Sequence, residues 1–198
     1  MISFVNLNTS EPYKIFHDFY QKALTKNQKN IEAIAISSFN KKNNEVDSRY
    51  VNLKTIDEKN FIFFSNYNSE KAHQFESNKN IAALFFWNKI NTQIRMKAKI
   101  YKLDKLLSDT HFKNRLKEKN ALAISSMQSK HVKSFDLVKK NYLQTLENAD
   151  LERRPEYWGG YKFIPYEFEF WVGHEYRLNH RTHFKFENNR WKKTLLQP

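Results

Sequence analysis

The chain has 198 residues with 40% hydrophobic and 16% aromatic content, enough to bury a sizeable core and too apolar for an intrinsically disordered segment. Its 34 Lys and Arg against 21 Asp and Glu leave a net charge of +13, which points to an anionic partner: nucleic acid, a membrane surface or a phosphorylated small molecule. The absence of cysteine excludes disulfides and thiolate chemistry, and because the longest apolar run, Ile81 to Trp87, is too short to span a bilayer and the N-terminus carries no leader pattern, a soluble, cytoplasmic protein is expected.

Ser10 is placed to cap a helix whose first turn holds Glu11 and Pro12, and Ile15, Phe16, Phe19, Ala23 and Leu24 then recur at helical spacing. Ile34 to Phe39 reads as a strand, the polar run Asn40 to Asn44 as a turn, and Val46 to Thr55 as the hairpin partner. A further strand runs from Phe61 to Ser65, Asn66 to Asn68 is a loop, and Ser69 is placed to cap a short helix through Lys71, Ala72 and Phe75. Ile81 to Trp87 and Thr92 to Leu103 form a second hairpin. Its second strand puts Ile94, Met96, Ala98 and Ile100 on one face and Gln93, Arg95, Lys97 and Lys99 on the other. The period then changes to helix, from Asp104 to about Lys119 and again from Lys133 to about Asn148, with Phe135, Val138, Tyr142 and Leu146 in register.

After the charged connector Leu151 to Pro155 comes a stretch, Trp158 to Arg181, that holds all three glycines of the chain. Tyr166, Glu167, Phe168, Glu169 and Phe170 alternate at strand period. Gly173 allows a turn, after which a resumed strand would put Arg177, Asn179 and Arg181 on one face and Tyr176, Leu178 and His180 on the other. Two guanidiniums sharing a strand face make an anion site, although spacing alone favours a solvated basic strand. Phe184 to Glu187, Asn188-Asn189 and Arg190 to Leu195 read as a closing hairpin, the Asn pair being suited to positive φ. The count is roughly eight strands and four helices without βαβ alternation, which favours a mainly β, α+β single domain: an antiparallel barrel with helices on its outside.

Three clusters bear chemistry. Arg49 and Lys54, five apart in a strand, point to opposite faces unless the strand is bulged. Ser69 to Ala72 opens a helix whose free N–H groups, dipole and Lys71 attract an anion, though an ordinary capped helix reads the same way. His111, Arg115 and Lys119 stand at i, i+4 and i+8 on one helix face, a pattern more often a solvated basic stripe than a site. No metal-ligand spacing or Gly-rich phosphate loop is present. The aromatics alternate as core residues, and no RNA-binding signature accompanies the basic charge.

The Trp158-Gly159-Gly160 triplet, Glu169-Phe170-Trp171, Gly173 and the Arg177-Leu178-x-x-Arg181 pattern together resemble the closing signature of the pyridoxamine 5′-phosphate oxidases, FMN enzymes of the split-barrel flavoprotein class. The resemblance extends from about Pro12 to the last residue. It implies a split β-barrel, a homodimer in which two subunits share each FMN, and a C-terminal dimerisation and substrate segment over about 155–198. It implies FMN contacts from Arg49, Tyr50, Val51, Asn52, Leu53 and Lys54, from Phe64 and Ser65, from Glu70 and Lys71 at the phosphate, and from Gln93, Gln128, Ser129, Trp171 and Arg181. Lys54, His111, Arg115 and Lys119 would hold the substrate phosphate, with Arg177 and Asn179 as the catalytic pair over the ring. Four positions depart from the family pattern: Glu70 replaces an arginine, His111 a tyrosine, Lys119 a serine and Asn179 a histidine. The implied reaction oxidises pyridoxamine or pyridoxine 5′-phosphate to pyridoxal 5′-phosphate while dioxygen becomes hydrogen peroxide, with no nucleic-acid or membrane partner. Two other readings stand beside it: a paralogous FMN oxidase or reductase with a different anionic substrate, and a non-catalytic module binding FMN, pyridoxal phosphate or nucleic acid.

Overall fold

The computed structural model describes residues 1–198. Six of its strands close on themselves. β2 (Ala33–Asn40) pairs with β3 (Glu45–Glu58), β3 with β4 (Asn60–Asn66), and β4 with β7 (Trp158–Val172); β7 pairs with β6 (Thr92–Lys102), β6 with β5 (Asn80–Trp87), and β5 returns to β2, every pairing antiparallel. The long strand β7 serves two purposes. Its first half, to Phe163, closes the barrel on β4, while its second half, from Glu167, carries β8 (His180–Glu187), which in turn pairs with β9 (Arg190–Leu196).

Alternation sets which faces are buried. Along β5, Ile81, Ala83, Phe85 and Trp87 point inward, and along β6 Ile94, Met96, Ala98 and Ile100 do so, leaving Arg95, Lys97 and Lys99 outside as the period of two dictates. Helix α1 (Glu11–Thr25) packs on this interior through Tyr13, Phe16, Tyr20 and Ala23, and the Phe16 ring lies 5.3 Å from Phe61 and 5.5 Å from Phe85. Gly159 and Gly160 are required by close approach: a side chain at 159 would strike the Tyr67 hydroxyl, and one at 160 would meet Leu103 at 2.6 Å.

Nine strands and five helices form, against the eight and four expected. The added strand is β1 (Ser3–Leu7), which runs parallel to β3, a pairing that local periodicity cannot reveal. The helix expected from Asp104 to about Lys119 is two: α3 (Lys105–Lys113), capped by the Asp104 carboxylate, and α4 (Lys117–Ser125). The break is stabilised by Asn120, whose buried Nδ2 donates to the carbonyls of Phe112, at 2.8 Å, and Leu151, at 2.9 Å. The remaining helices, α2 (Glu70–Ser77) and α5 (Phe135–Asn148), lie close to where the sequence puts them.

The second correction concerns residues 173–179, which form a loop, so the expected strand face shared by Arg177, Asn179 and Arg181 does not exist. Gly173 donates its N–H to the Asn91 carbonyl, His174 donates its N–H to Asn179 Oδ1 at 3.1 Å, and Arg177 adopts φ 61° in a turn closed on the His174 carbonyl. Pairing with β7 resumes only at His180, opposite Val172. The closing hairpin turns on Asn188 and Asn189 at φ 50° and 59°, as their side chains favour.

Candidate functional site

A cavity of about 550 Å³ opens between the β3–β4 side of the barrel and the α3–α4 break. β3 contributes Tyr50, Val51, Asn52 and Lys54, and β4 contributes Phe64, Ser65 and Asn66. The pairing of β3 with β4 shifts register between Leu53 and Thr55, so the strand is bulged at Lys54. Leu53 is fully buried in the core while Lys54 turns to the cavity. Arg49 takes a different direction: its guanidinium donates to Ser38 Oγ at 2.6 Å and Gln74 Oε1 at 2.9 Å, with Asp47 at 3.8 Å, and it does not line the cavity.

At one end stands Lys71, 9% exposed, whose Nζ donates to Ser69 Oγ at 3.1 Å and Gln128 Oε1 at 3.2 Å and makes no ion pair. Burial pushes this ammonium down to about 8, Arg49 adds to the depression, and Glu70 opposes it. Ser69 occupies the N-cap of α2 but donates its hydroxyl to the Asn66 carbonyl, so no side chain caps the helix, and the amides of Glu70 and Lys71 are left uncommitted. Glu70 is exposed and faces a separate surface recess beside the Asn40–Asn43 turn, away from the cavity.

The other end is an aromatic wall with cations on it. The rings of Phe64 and His111 stack at 3.6 Å and 6°, and Trp158 lies nearly parallel to Phe64, at 11° and 5.5 Å. The Arg115 guanidinium lies 5.0 Å from the Trp158 ring and donates to the Lys119 carbonyl at 2.9 Å and Asn120 Oδ1 at 3.2 Å. Burial pushes His111 down to about 4, and the charges of Arg115 and Lys54 add to the depression, so the imidazole is neutral near pH 7. Lys54 is lowered by burial too, with Lys119 and Arg115 contributing and Glu32 opposing. Lys54, Lys71, Arg115 and Lys119 all line the cavity, none forms an ion pair, and no carboxylate lines it with them. His111, Arg115 and Lys119 therefore do converge, by way of a helix break rather than along one helix face.

A second group lies elsewhere. Gln93, Trp171 and Arg181 stand in a row across β6, β7 and β8, each opposite the next, and neither they nor Arg177, Asn179 and Ser129 line the cavity. Arg177 is exposed on the 173–179 loop, where Asn179 Oδ1 is already engaged by the His174 amide.

Residues 21–147 match the family model described as pyridoxamine 5′-phosphate oxidase, and residues 158–198 match that of the pyridoxine 5′-phosphate oxidase C-terminal dimerisation region. The chain belongs to the pyridoxamine 5′-phosphate oxidase family. Among similar proteins, pyridoxine/pyridoxamine 5′-phosphate oxidase 1 of Hydrogenovibrio crunogenus is 32% identical over 193 residues, 96% of this chain and 89% of the relative. The pyridoxine/pyridoxamine 5′-phosphate oxidase of Coxiella burnetii is 32% identical over 96% of each chain. In fold, the chain is similar to PhzG from Burkholderia lata, solved with tetrahydrophenazine-1-carboxylic acid, at a TM-score of 0.89, 24% identity and coverage of 96% of this chain and 93% of that one. It is also similar to a pyridoxamine 5′-phosphate oxidase-related, FMN-binding protein of Nostoc punctiforme, at a TM-score of 0.77, 11% identity and coverage of 92% and 97%. The architecture is thus the split barrel of this oxidase family, and no helix is long and apolar enough to cross a membrane.

Sequence reasoning missed several contributors. Trp158 was visible as part of the Trp-Gly-Gly triplet, but not as the plate beneath Arg115. Asn120, which both secures the helix break and holds Arg115, carries no sequence signal, because its partners lie in Phe112 and Leu151.

Proposed function

We propose that the chain is a cytoplasmic, homodimeric FMN-dependent oxidase that converts pyridoxamine 5′-phosphate or pyridoxine 5′-phosphate to pyridoxal 5′-phosphate, with dioxygen reduced to hydrogen peroxide. The observation that carries this reading is a cavity lined by four cations that form no ion pair and by no carboxylate, the electrostatics that two phosphorylated ligands require. The residues present fit FMN: Lys71, the uncommitted amides of α2 and Ser65 suit its phosphate, and the segment Tyr50 to Lys54 offers backbone and side-chain contacts along the cavity. Glu70, directed away, does not oppose that phosphate at contact range. When bound, FMN would supply the two-electron redox chemistry that oxidation at the C4′ carbon requires, with dioxygen as the final acceptor.

The chain's own share is binding and orientation. Lys54, Arg115 and Lys119 supply positive charge to the substrate phosphate, and neutral His111 offers a ring N–H from its stacked position. Arg177 would lie over the substrate ring, and Asn179 would hydrogen-bond to it without exchanging a proton near neutral pH. Since Gln93, Trp171, Arg177, Asn179 and Arg181 lie outside the cavity of their own chain, each FMN is proposed to sit between two copies. The whole chain would then act as one domain, with about 155–198 as its dimerisation and substrate segment.

A second reading, a paralogous FMN oxidase with another anionic substrate, is favoured by one observation: Asn179 Oδ1 is committed to the His174 amide. The deciding experiment loads the protein with FMN, adds pyridoxine 5′-phosphate without oxygen and follows visible absorbance. Bleaching that reverses in air supports the oxidase, bound flavin that stays yellow supports the paralog, and failure to bind flavin removes both.

A further inference from the structure

Glu169 is a buried carboxylate, 8% exposed, in the second half of β7. Its two oxygens are divided between neighbouring strands. Oε2 accepts from Arg95 Nη1 of β6 at 2.8 Å, while Oε1 accepts from Arg181 Nε of β8 at 2.8 Å and has Arg181 Nη2 at 2.7 Å. Arg181 is also tied on its far side, where Nη1 donates to the Gln197 carbonyl at 2.8 Å. A guanidinium carries five N–H donors; with Nε spent on Glu169 and one hydrogen of Nη1 on Gln197, three terminal hydrogens are not committed to a hydrogen bond. Arg181 in turn stands opposite Trp171, itself opposite Gln93, and Glu169 lies two positions before Trp171 along β7, on the same face as this row of three residues proposed to meet the flavin.

Resting on the reading above that Arg181 meets FMN, we propose that Glu169 is a positioning residue that fixes the Arg181 guanidinium in one orientation for the flavin. One carboxylate between two guanidiniums leaves the group net positive, so the anchor orients Arg181 without cancelling the attraction for an anionic cofactor. Arg95 is 57% exposed and serves as the other ligand of the carboxylate, turned to solvent.

FMN affinity of the apoprotein, read by quenching of flavin fluorescence, tests this in a double-mutant cycle. Arg181→Gln weakens FMN binding, Glu169→Gln weakens it by about tenfold, and the double variant is no weaker than Arg181→Gln alone. Wild-type affinity in folded Glu169→Gln, or losses that multiply in the double variant, overturns the assignment, since a merely structural carboxylate would act independently of Arg181. Wild-type affinity in Arg181→Gln would instead remove the placement of Arg181 at the flavin, and the role of Glu169 with it. Should Glu169→Gln not fold, Glu169→Asp, which keeps the charge and withdraws the carboxylate by one methylene, goes through the same cycle with the same expectations.

Discussion

At the scale of single residues, the cavity is built from groups whose charge is costly without a ligand. Lys71 shows this most directly, because its ammonium is buried with only neutral oxygens as partners. The unfolded chain holds that proton up to about 10.5, and the folded apoprotein releases it at about 8. Between those values the unfolded state binds more protons, so apoprotein stability rises with pH; the contribution is complete above the upper value and lost as pH falls to the lower. Urea denaturation of the apoprotein across this window should show the rise, and Lys71→Met should flatten it. A bound phosphate restores the proton, so FMN affinity should fall as pH climbs above about 8, whereas Lys71→Arg, charged throughout, should not follow that trend. His111 has the same sign at lower pH. Its proton is lost at about 4 in the folded chain against an ordinary 6.5, so stability present above the upper value is lost as pH falls between them, and His111→Phe should move the acid unfolding midpoint downward.

At the scale of elements, site geometry depends on two irregularities, the bulge at Lys54 and the break between α3 and α4. Removing the Asn120 side chain by Asn120→Ala leaves the carbonyls of Phe112 and Leu151 without their donor, which should cost about 1–3 kcal/mol in urea unfolding. It should also raise KM for the phosphorylated substrate more than it lowers kcat, because Arg115 loses one of its two anchors. Unchanged KM would show that Arg115 needs no support from α4. The regular elements were legible where burial imposes a period: the inward face of β6 follows from spacing alone, and so does the extent of α5, although none of the α5 side chains is buried. The irregularities were not. A spacing of i, i+4 and i+8 is silent about a break secured by a side chain bonded to the preceding helix, and β1 depends on a partner some fifty residues away in sequence. Alternation past Gly173 likewise suggested a strand because periodicity cannot register that Asn179 folds back on His174.

At the scale of the whole molecule, the residues tied to one chemistry fall in two places on one chain: the cavity group around Lys71 and Arg115, and the row of Gln93, Trp171 and Arg181 with the adjoining 173–179 loop. On the function proposed above neither half suffices alone, and residues 158–198, which match a dimerisation region, contain most of the second. In a twofold dimer each copy would contribute its cavity to one site and its C-terminal strands to the other. Arg115→Ala damages only the first half and Arg177→Ala only the second. Each homodimer should therefore be nearly inactive, having both sites impaired. A heterodimer of the two, purified through different tags, has one site that receives both lesions and one that receives neither, so it should regain about half of the wild-type activity per dimer. If each site were instead assembled within one chain, every site in the heterodimer would keep a lesion and no activity would return. Recovery in the heterodimer, with none in a mixture held below the dissociation time, would place the reacting ring between the two copies.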